Sequence, residues 1–171
     1  MLSDSPAARH AAMLYKHPFY DPIAQVLIES AVLQLLQSHR QVSWNSTEAG
    51  GLLLGYRRDR HLHITEATLP AARDKRSRMA FWRRDPSHQA AASNGWTRTK
   101  ETLDYVGEWH THPESQPSPS NLDLLEWRKV CAATNEAMAF LILGITGTWF
   151  GIGLGADIRP ATADTPVIAR R

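Results

Sequence analysis

The run Gly-Glu-Trp-His-Thr-His-Pro-Glu-Ser-Gln-Pro-Ser-Pro-Ser-Asn-Leu-Asp, Gly107 to Asp123, holds the densest set of chemically capable side chains in the 171-residue sequence. His110 and His112 follow a strand-forming segment that starts at Leu103. A strand turns alternate side chains to one face, so both imidazoles point the same way. Pro113, Pro117 and Pro119 stop that strand and delay any helix until about Ser120. Asp123 then falls on the first helical turn, directed back toward the two imidazoles. Two imidazoles and one carboxylate leave a fourth tetrahedral position open, which is the pattern of a catalytic zinc site.

Each part also has an ordinary reading. Ser120-x-x-Asp123 is a helix-start pattern, with the serine accepting from a backbone amide and the acid near the positive end of the helix. The two jobs are compatible. His61-Leu62-His63 repeats the His-x-His spacing, and Asp74 lies as far beyond His63 as Asp123 lies beyond His112. There, however, Ile64 stands in place of the proline and Ala71 in place of the serine, and Lys75 and Arg76 compete for the carboxylate. His61 and His63 are therefore expected to be exposed near a hairpin tip. Two glutamates compete for the role of base. Glu108 shares the strand face of His110 and His112, whereas Glu48 precedes a glycine-rich apolar stretch, Gly50-Gly51-Leu52-Leu53-Leu54-Gly55.

The combination of upstream Glu48 before that stretch, His110-x-His112-Pro113, Ser120 and Asp123 resembles the signature of the JAMM (JAB/MPN) metalloproteases. The resemblance spans roughly Gln25 to Gly155 and resolves the choice in favour of Glu48. It implies one zinc ion held by His110, His112 and Asp123, with Glu48 taking the proton of the attacking water and Ser120 donating to the oxyanion. Glu108 is left facing the substrate or supporting the ligands. The implied fold is α+β, a curved mixed sheet flanked by helices and akin to the cytidine deaminases. The implied reaction is hydrolysis of an isopeptide or peptide bond after the C-terminus of ubiquitin or a ubiquitin-like modifier. The partner is then that modifier or its protein conjugate. The wording around His110 and the short length look most like the prokaryotic branch, which includes deconjugating peptidases of bacterial CBASS anti-phage operons acting on a nucleotidyltransferase.

The rest of the chain has to position these groups. Its size suits a single core that buries about 70% of the unfolded surface. The formal net charge is +2, which makes no general case for nucleic-acid or membrane attraction. Cys131 is the single cysteine, so a disulfide framework, a cysteine-rich zinc site and the Pro-Cys-x-x-Cys element of a zinc nucleobase deaminase are excluded. No segment approaches the roughly 20 apolar residues of a membrane span, and the N-terminus lacks a signal pattern, so a cytoplasmic protein is expected. Residues 1–21 read as a loose lead-in with Tyr15, Phe19 and Tyr20 pinned on the surface, 22–156 as the metalloprotease domain, and 157–171 as a tail.

Within the domain the periodicity predicts a strand over Gln25 to Glu29 and a helix to about Arg40, with one continuous helix from Ile23 as the competing reading. A hairpin follows over Tyr56 to Leu69, then a helix from Asp85-Pro86-Ser87. The ligand strand runs from Leu103 to His112, and the Ser120 helix presents Leu124, Trp127 and Cys131 on one face. Cys131 is read as core. Ala137 to Ile145 and Thr148 to Leu154 form a central apolar hairpin. Arg73 to Asp85 carries six basic and two acidic residues around Met79, Phe81 and Trp82; a protein-docking edge is favoured over nucleic-acid binding by segment 73–84. Two other classes remain: a non-catalytic JAB/MPN scaffold, and a DNA-associated relative using that basic segment.

Overall fold

The computed structural model describes residues 12–167. Strands β1 (Ala12–Lys16) and β2 (Gln25–Ile28) precede helix α1 (Ser30–Gln37), and β3 (Gly50–Arg58) and β4 (His61–Ala67) form a long hairpin. A small hairpin of β5 (Lys75–Ser77) and β6 (Ala80–Trp82) leads into α2 (Ser87–Arg98), β7 (Leu103–Thr111) and α3 (Asn121–Thr134). The chain continues through β8 (Met138–Leu143), β9 (Thr148–Leu154), β10 (Asp157–Pro160) and β11 (Ala163–Val167).

Nine of these strands make one sheet in the order β10-β9-β8-β7-β3-β4-β2-β1-β11. The β7–β8 and β2–β4 pairs are parallel and the others antiparallel. Strands β10 and β11 are separated by two residues in sequence yet lie at opposite edges, so the sheet must curl until its edges approach. The connecting residues bridge the gap: Lys16 N–H donates to Thr162 O at 2.9 Å and Ala161 N–H to Phe150 O at 2.9 Å. The Tyr15 and Phe150 rings meet across it at 4.4 Å. The architecture is thus α+β with a curved mixed sheet, as the sequence implied.

Alternation sorts side chains to the two faces of this sheet. On the inner face Leu53, Ile64, Val106, Trp109 and Leu141 pack with Val32, Leu33 and Leu36 of α1. On the outer face Met138, Phe140 and Ile142 meet Trp127 and Cys131 of α3, while Leu52, Leu54 and Leu103 meet α2. Strand β8 is buried along its whole length, as a strand covered on both sides must be. Burial among these apolar groups pushes the Cys131 thiol up to about 11, which suits a core residue and not a nucleophile.

The sequence reading placed the long elements and missed the short edge ones. Residues 12–16 form β1, and Tyr15 is core instead of surface. Residues 157–160 and 163–167 form β10 and β11 where a bare tail was expected. Their apolar content is too low to show a period; pairing with β9 and β1 supplies the order. The part of the lead-in before residue 12 lies outside the described residues. His61 is exposed beside the β3–β4 turn as expected, but His63 is half-buried and meets Glu29 at 2.6 Å.

Asp74, the distant carboxylate of the second His-x-His, has a structural role. Its Oδ2 accepts from Ala71 N–H at 2.7 Å and lies 2.8 Å from His88 Nε2; its Oδ1 accepts from the amides of Arg84 and Asp85 at 2.8 and 3.0 Å. His88 Nδ1 meets the Thr68 hydroxyl at 2.6 Å, and that hydroxyl accepts from Leu52 N–H at 2.8 Å. The β5–β6 hairpin, α2 and β3 are thereby tied through one buried carboxylate. Burial alone would raise its pKa, but His88 and the three amides outweigh burial and hold it at about 2. Because the unfolded carboxyl takes its proton near pH 3.9, the bonus is present above that pH and is lost as the pH falls through about 2. Asp74→Asn should cost about 2–4 kcal/mol in urea unfolding at pH 7, and should flatten the acid limb of stability between about pH 4 and 2.

Candidate metal centre

Strand β7 delivers His110 and His112 to the outer face, where α3 begins. The α3 N-terminus is fixed by a reciprocal cap. Asp123 N–H donates to Ser120 Oγ at 3.1 Å, while Asp123 Oδ2 accepts from Ser120 N–H at 2.7 Å and from the Ser120 hydroxyl at 2.6 Å. One turn further on, Trp127 stacks on Phe140 at 4.4 Å and on Trp149 at 5.6 Å, with the His110 ring 5.7 Å away. The helix is therefore clamped to the sheet by the same face that carries Asp123. The proline-rich connection is anchored in turn, since Glu114 O accepts from Ile145 N–H at 2.6 Å and Ser115 O from Gly147 N–H at 2.7 Å.

The three expected ligand side chains come together. His110 Nε2 lies 3.0 Å from His112 Nε2 and 3.3 Å from Asp123 Oδ1, and His112 Nε2 lies 3.4 Å from Asp123 Oδ2. A tetrahedral ion with bonds of about 2.0–2.1 Å separates neighbouring ligand atoms by about 3.3–3.4 Å; each histidine lies near a different Asp123 oxygen, and one ligand atom from each of the three residues falls within 4.8 Å of the others, so the set could hold one small divalent cation. Among the described residues it is the one cluster of three or more such groups that could hold a metal ion. Burial works to raise the Asp123 pKa, but hydrogen bonds from His110, His112 and Ser120 hold it well below the carboxylate range. For His112, burial works downward and the neighbouring Asp123, Glu48 and Glu114 carboxylates prevail, raising its affinity for a proton.

Glu48 reaches the same place from the other side of the sheet pair. Gly50 pairs with His110, and Thr111 N–H donates to Ala49 O at 2.9 Å; continuing that register sets Glu48 beside His112. Its residue is 5% exposed. Burial pushes its carboxyl up to about 8, with His112 acting against the shift and Asp123 and Glu114 adding to it. Glu108, the rival acid, faces the same cleft but is engaged elsewhere: Arg83 Nη2 lies 2.8 Å from its Oε1, which also accepts from the Tyr105 hydroxyl at 2.9 Å.

Above these groups lies a cleft of about 640 Å³. Residues Met79 to Arg84, on and to either side of β6, form one wall, and Leu122, Glu126 and Lys129 of α3 form the other. Phe81 closes over β3, where a Cβ on Gly50 would fall 2.6 Å from its ring; only glycine admits the hairpin this close. The sequence marked Phe81 and Arg83 only as part of a basic, aromatic docking edge; that they line the cleft was hidden, because nothing local reveals which strand a short hairpin will cover. Trp127 was read as core, and its spacing of four from Asp123 already put it on the ligand face. The basic segment stays largely solvent-exposed, and several of its side chains have partners within the chain. Arg76 donates to Glu48 O at 2.6 Å, Arg83 pairs with Glu108, Arg78 stacks on Trp44 at 4.2 Å and Lys75 on Trp82 at 5.8 Å.

Comparison with known proteins gives the family and the fold. A family model described as prokaryotic homologs of the JAB domain matches residues 30–153. An Escherichia coli (strain TW11681) protein named CD-NTase/cGAS isopeptidase is 40% identical over 134 residues, covering 78% of this chain and 85% of that one. A Pseudomonas aeruginosa protein of the same name is 45% identical over 106 residues, 62% of this chain and 67% of its own length. One from Vibrio cholerae is 37% identical over 126 residues, 74% and 80% respectively. Among solved structures, protein DSY2949 of Desulfitobacterium hafniense has a TM-score of 0.56 at 20% identity, covering 78% of this chain and 87% of that one, and shares the fold. No described helix is long and apolar enough to cross a membrane.

Burying Glu48 opposes folding. Its carboxyl holds a proton to about 8 in the folded chain but releases it near 4.3 when unfolded, so stability should fall as pH rises between those values. After chelation of any bound metal, Glu48→Gln should be more stable than the parent by on the order of 3 kcal/mol at pH 7. The gain should vanish below about pH 4. Parallel urea unfolding of both proteins across that range measures it.

Proposed function

The chain belongs to the prokaryotic JAB family, and from that premise we propose that it is a zinc-dependent isopeptidase that releases a CD-NTase-type protein from its conjugates. The observation that carries this reading is the meeting of His110, His112 and Asp123 at ligand spacing, with buried Glu48 beside them in one cleft. His110, His112 and Asp123 would hold the ion. A zinc ion so held supplies Lewis acidity and brings the pKa of a water molecule down to about 7.

The remaining steps are carried by the chain. Glu48 is the general base: desolvation gives its carboxylate an affinity for protons suited to taking one from the attacking water and passing it to the departing amine. Ser120 serves twice. Its hydroxyl points at Asp123 Oδ2 and so holds that carboxylate toward the histidines; rotated away, it donates to the oxyanion that forms as the amide carbonyl is attacked. The cleft between β6 and α3 takes the extended C-terminal tail of the modifier, because β6 pairs with β5 along one edge, and an extended tail is read by main-chain hydrogen bonds along a strand. The relatives' names favour a CD-NTase as the conjugated protein, which is the substrate expected of a CBASS anti-phage operon. The engagement of Arg76 with the Glu48 carbonyl and of Arg83 with Glu108 favours this over a DNA-associated role, and the complete ligand set favours it over a non-catalytic scaffold.

Incubating the purified protein with CD-NTase conjugates and ubiquitin-like fusions, and locating the cut by mass spectrometry, tests the reading. Glu48→Ala should keep one metal ion per chain and lose about 10²–10⁴-fold in turnover, whereas Asp123→Ala should lose both metal and turnover. Wild-type rates in Glu48→Ala would remove it as the base, and metal retained at full stoichiometry in Asp123→Ala would remove that ligand.

A further inference from the structure

Behind the ligand histidines lies a buried polar set that the reaction as described does not use. Thr111 stands between His110 and His112, so alternation along β7 sends it to the opposite, inner face. Its hydroxyl accepts from Ala49 N–H at 2.9 Å and donates to Gln41 Oε1 at 2.9 Å. Gln41 Nε2 donates to the carbonyls of Arg78 at 3.0 Å and Ser46 at 3.3 Å. Thr111 is 0% and Gln41 2% exposed. On the outer side of the same loop, Arg76 Nε donates to Glu48 O at 2.6 Å and Nη2 to Thr47 O at 3.3 Å, and Glu48 N–H donates to Ser77 O at 2.7 Å.

Glu48 is held through its backbone from both sides. It lies just before β3, at the end of a segment from residue 40 to 49 without regular structure, where the β3–β7 ladder sets its register but ends beside it. A polar pair in this apolar interior costs about 1–3 kcal/mol wherever a partner is missing, and a valine and a leucine would fill the same space. Fully satisfied, such a network rigidifies what it touches. Together with Arg76 it touches Ala49 and Thr47, the residues flanking Glu48, and the strand between the two histidines.

We infer that Thr111, Gln41 and Arg76 are positioning residues for Glu48: Thr111 and Gln41 lock the amide of Ala49 and the loop before it to the strand that carries His110 and His112, and Arg76 locks the Glu48 carbonyl from the solvent side. This rests on Glu48 acting as the base. A purely structural role predicts lost stability with unchanged kcat for each folded, metal-loaded molecule; positioning predicts lost kcat at unchanged metal content.

The test compares Thr111→Val, which keeps the shape and removes the hydroxyl, with Thr111→Ser, which restores it, in the metal-loaded enzyme. Thr111→Val should lower kcat by about 10- to 100-fold with KM changed less than about twofold, and Thr111→Ser should return it to within about threefold. Amide exchange followed by NMR supplies a readout independent of turnover: Ala49 N–H should exchange at least about tenfold faster in Thr111→Val while neighbouring β3 and β7 amides are unchanged. Arg76→Gln, at the surface, covers the case in which Thr111→Val does not fold; it should lower kcat by about tenfold, with Arg76→Lys recovering part of the loss. An unchanged Ala49 amide, or wild-type kcat in Thr111→Val and Arg76→Gln, overturns the inference. If the parent enzyme cuts no conjugate, the functional reading fails on its own, and the Ala49 amide still decides whether the clamp exists.

Discussion

The pairing of β3 with β7 in the register that sets Gly50 opposite His110 is the contact on which the rest of this molecule depends. Side chains alternate along both strands, so a slip of one residue would send Glu48 to the inner face and bring Ala49 into the cleft. Several independent features hold the register. The Thr111 hydroxyl and amide both engage Ala49. A Cβ on Gly51 would meet Thr68 O at 2.2 Å, so only glycine allows the β3–β4 crossing beside it. Thr68 O also accepts from Trp109 Nε1 at 2.8 Å, which ties the buried face of the ligand strand to the end of β4, two strands along.

The second constraint is the angle at which α3 arrives. His110 and His112 alone define a line along β7; the carboxylate that completes a triangle must come from another element, and a helix start is well suited to supply it. The prolines between them prevent the strand and helix from merging, and Ser120 fixes the first turn while presenting Asp123 Oδ1 and Oδ2 to different histidines. Trp127, between Phe140 and Trp149, then resists rotation of the helix. Asp123 thus belongs both to the helix cap and to the group that could hold a metal ion. A carboxylate that is already stabilised at a helix N-terminus is less easily neutralised by burial.

Much of this arrangement could be read in the sequence because its signals are local. The His-x-His spacing, the prolines and the Ser-x-x-Asp pattern each specify a conformation within a few residues, and β8 and β9 stand out as apolar runs around a Thr-Gly turn. What was hidden depends on partners distant in sequence. The hairpin of β5 and β6 has three residues in each strand, too few for a period, and its place over Gly50 is set by Phe81 and Arg76 meeting groups about thirty residues upstream. Strands β1, β10 and β11 exist because the sheet curls and needs its edges covered. Gln41 and Thr111 are 70 residues apart, and no pattern in either neighbourhood announces the other.

The His61-x-His63 pair shows what spacing leaves undetermined. It too lies on a strand, and it too has an aspartate at the matching distance. Yet β4 continues past His63 to Ala67, so no turn returns the chain over the imidazoles. Asp74 instead faces His88, and His63 finds Glu29 from the loop before α1. The decisive difference is the strand ending at Thr111, after which the proline-rich connection leads directly into a capped helix. A metal-ligand motif is in this sense a statement about chain reversal: the histidines furnish donors, but the proline and the serine decide whether a carboxylate can reach them.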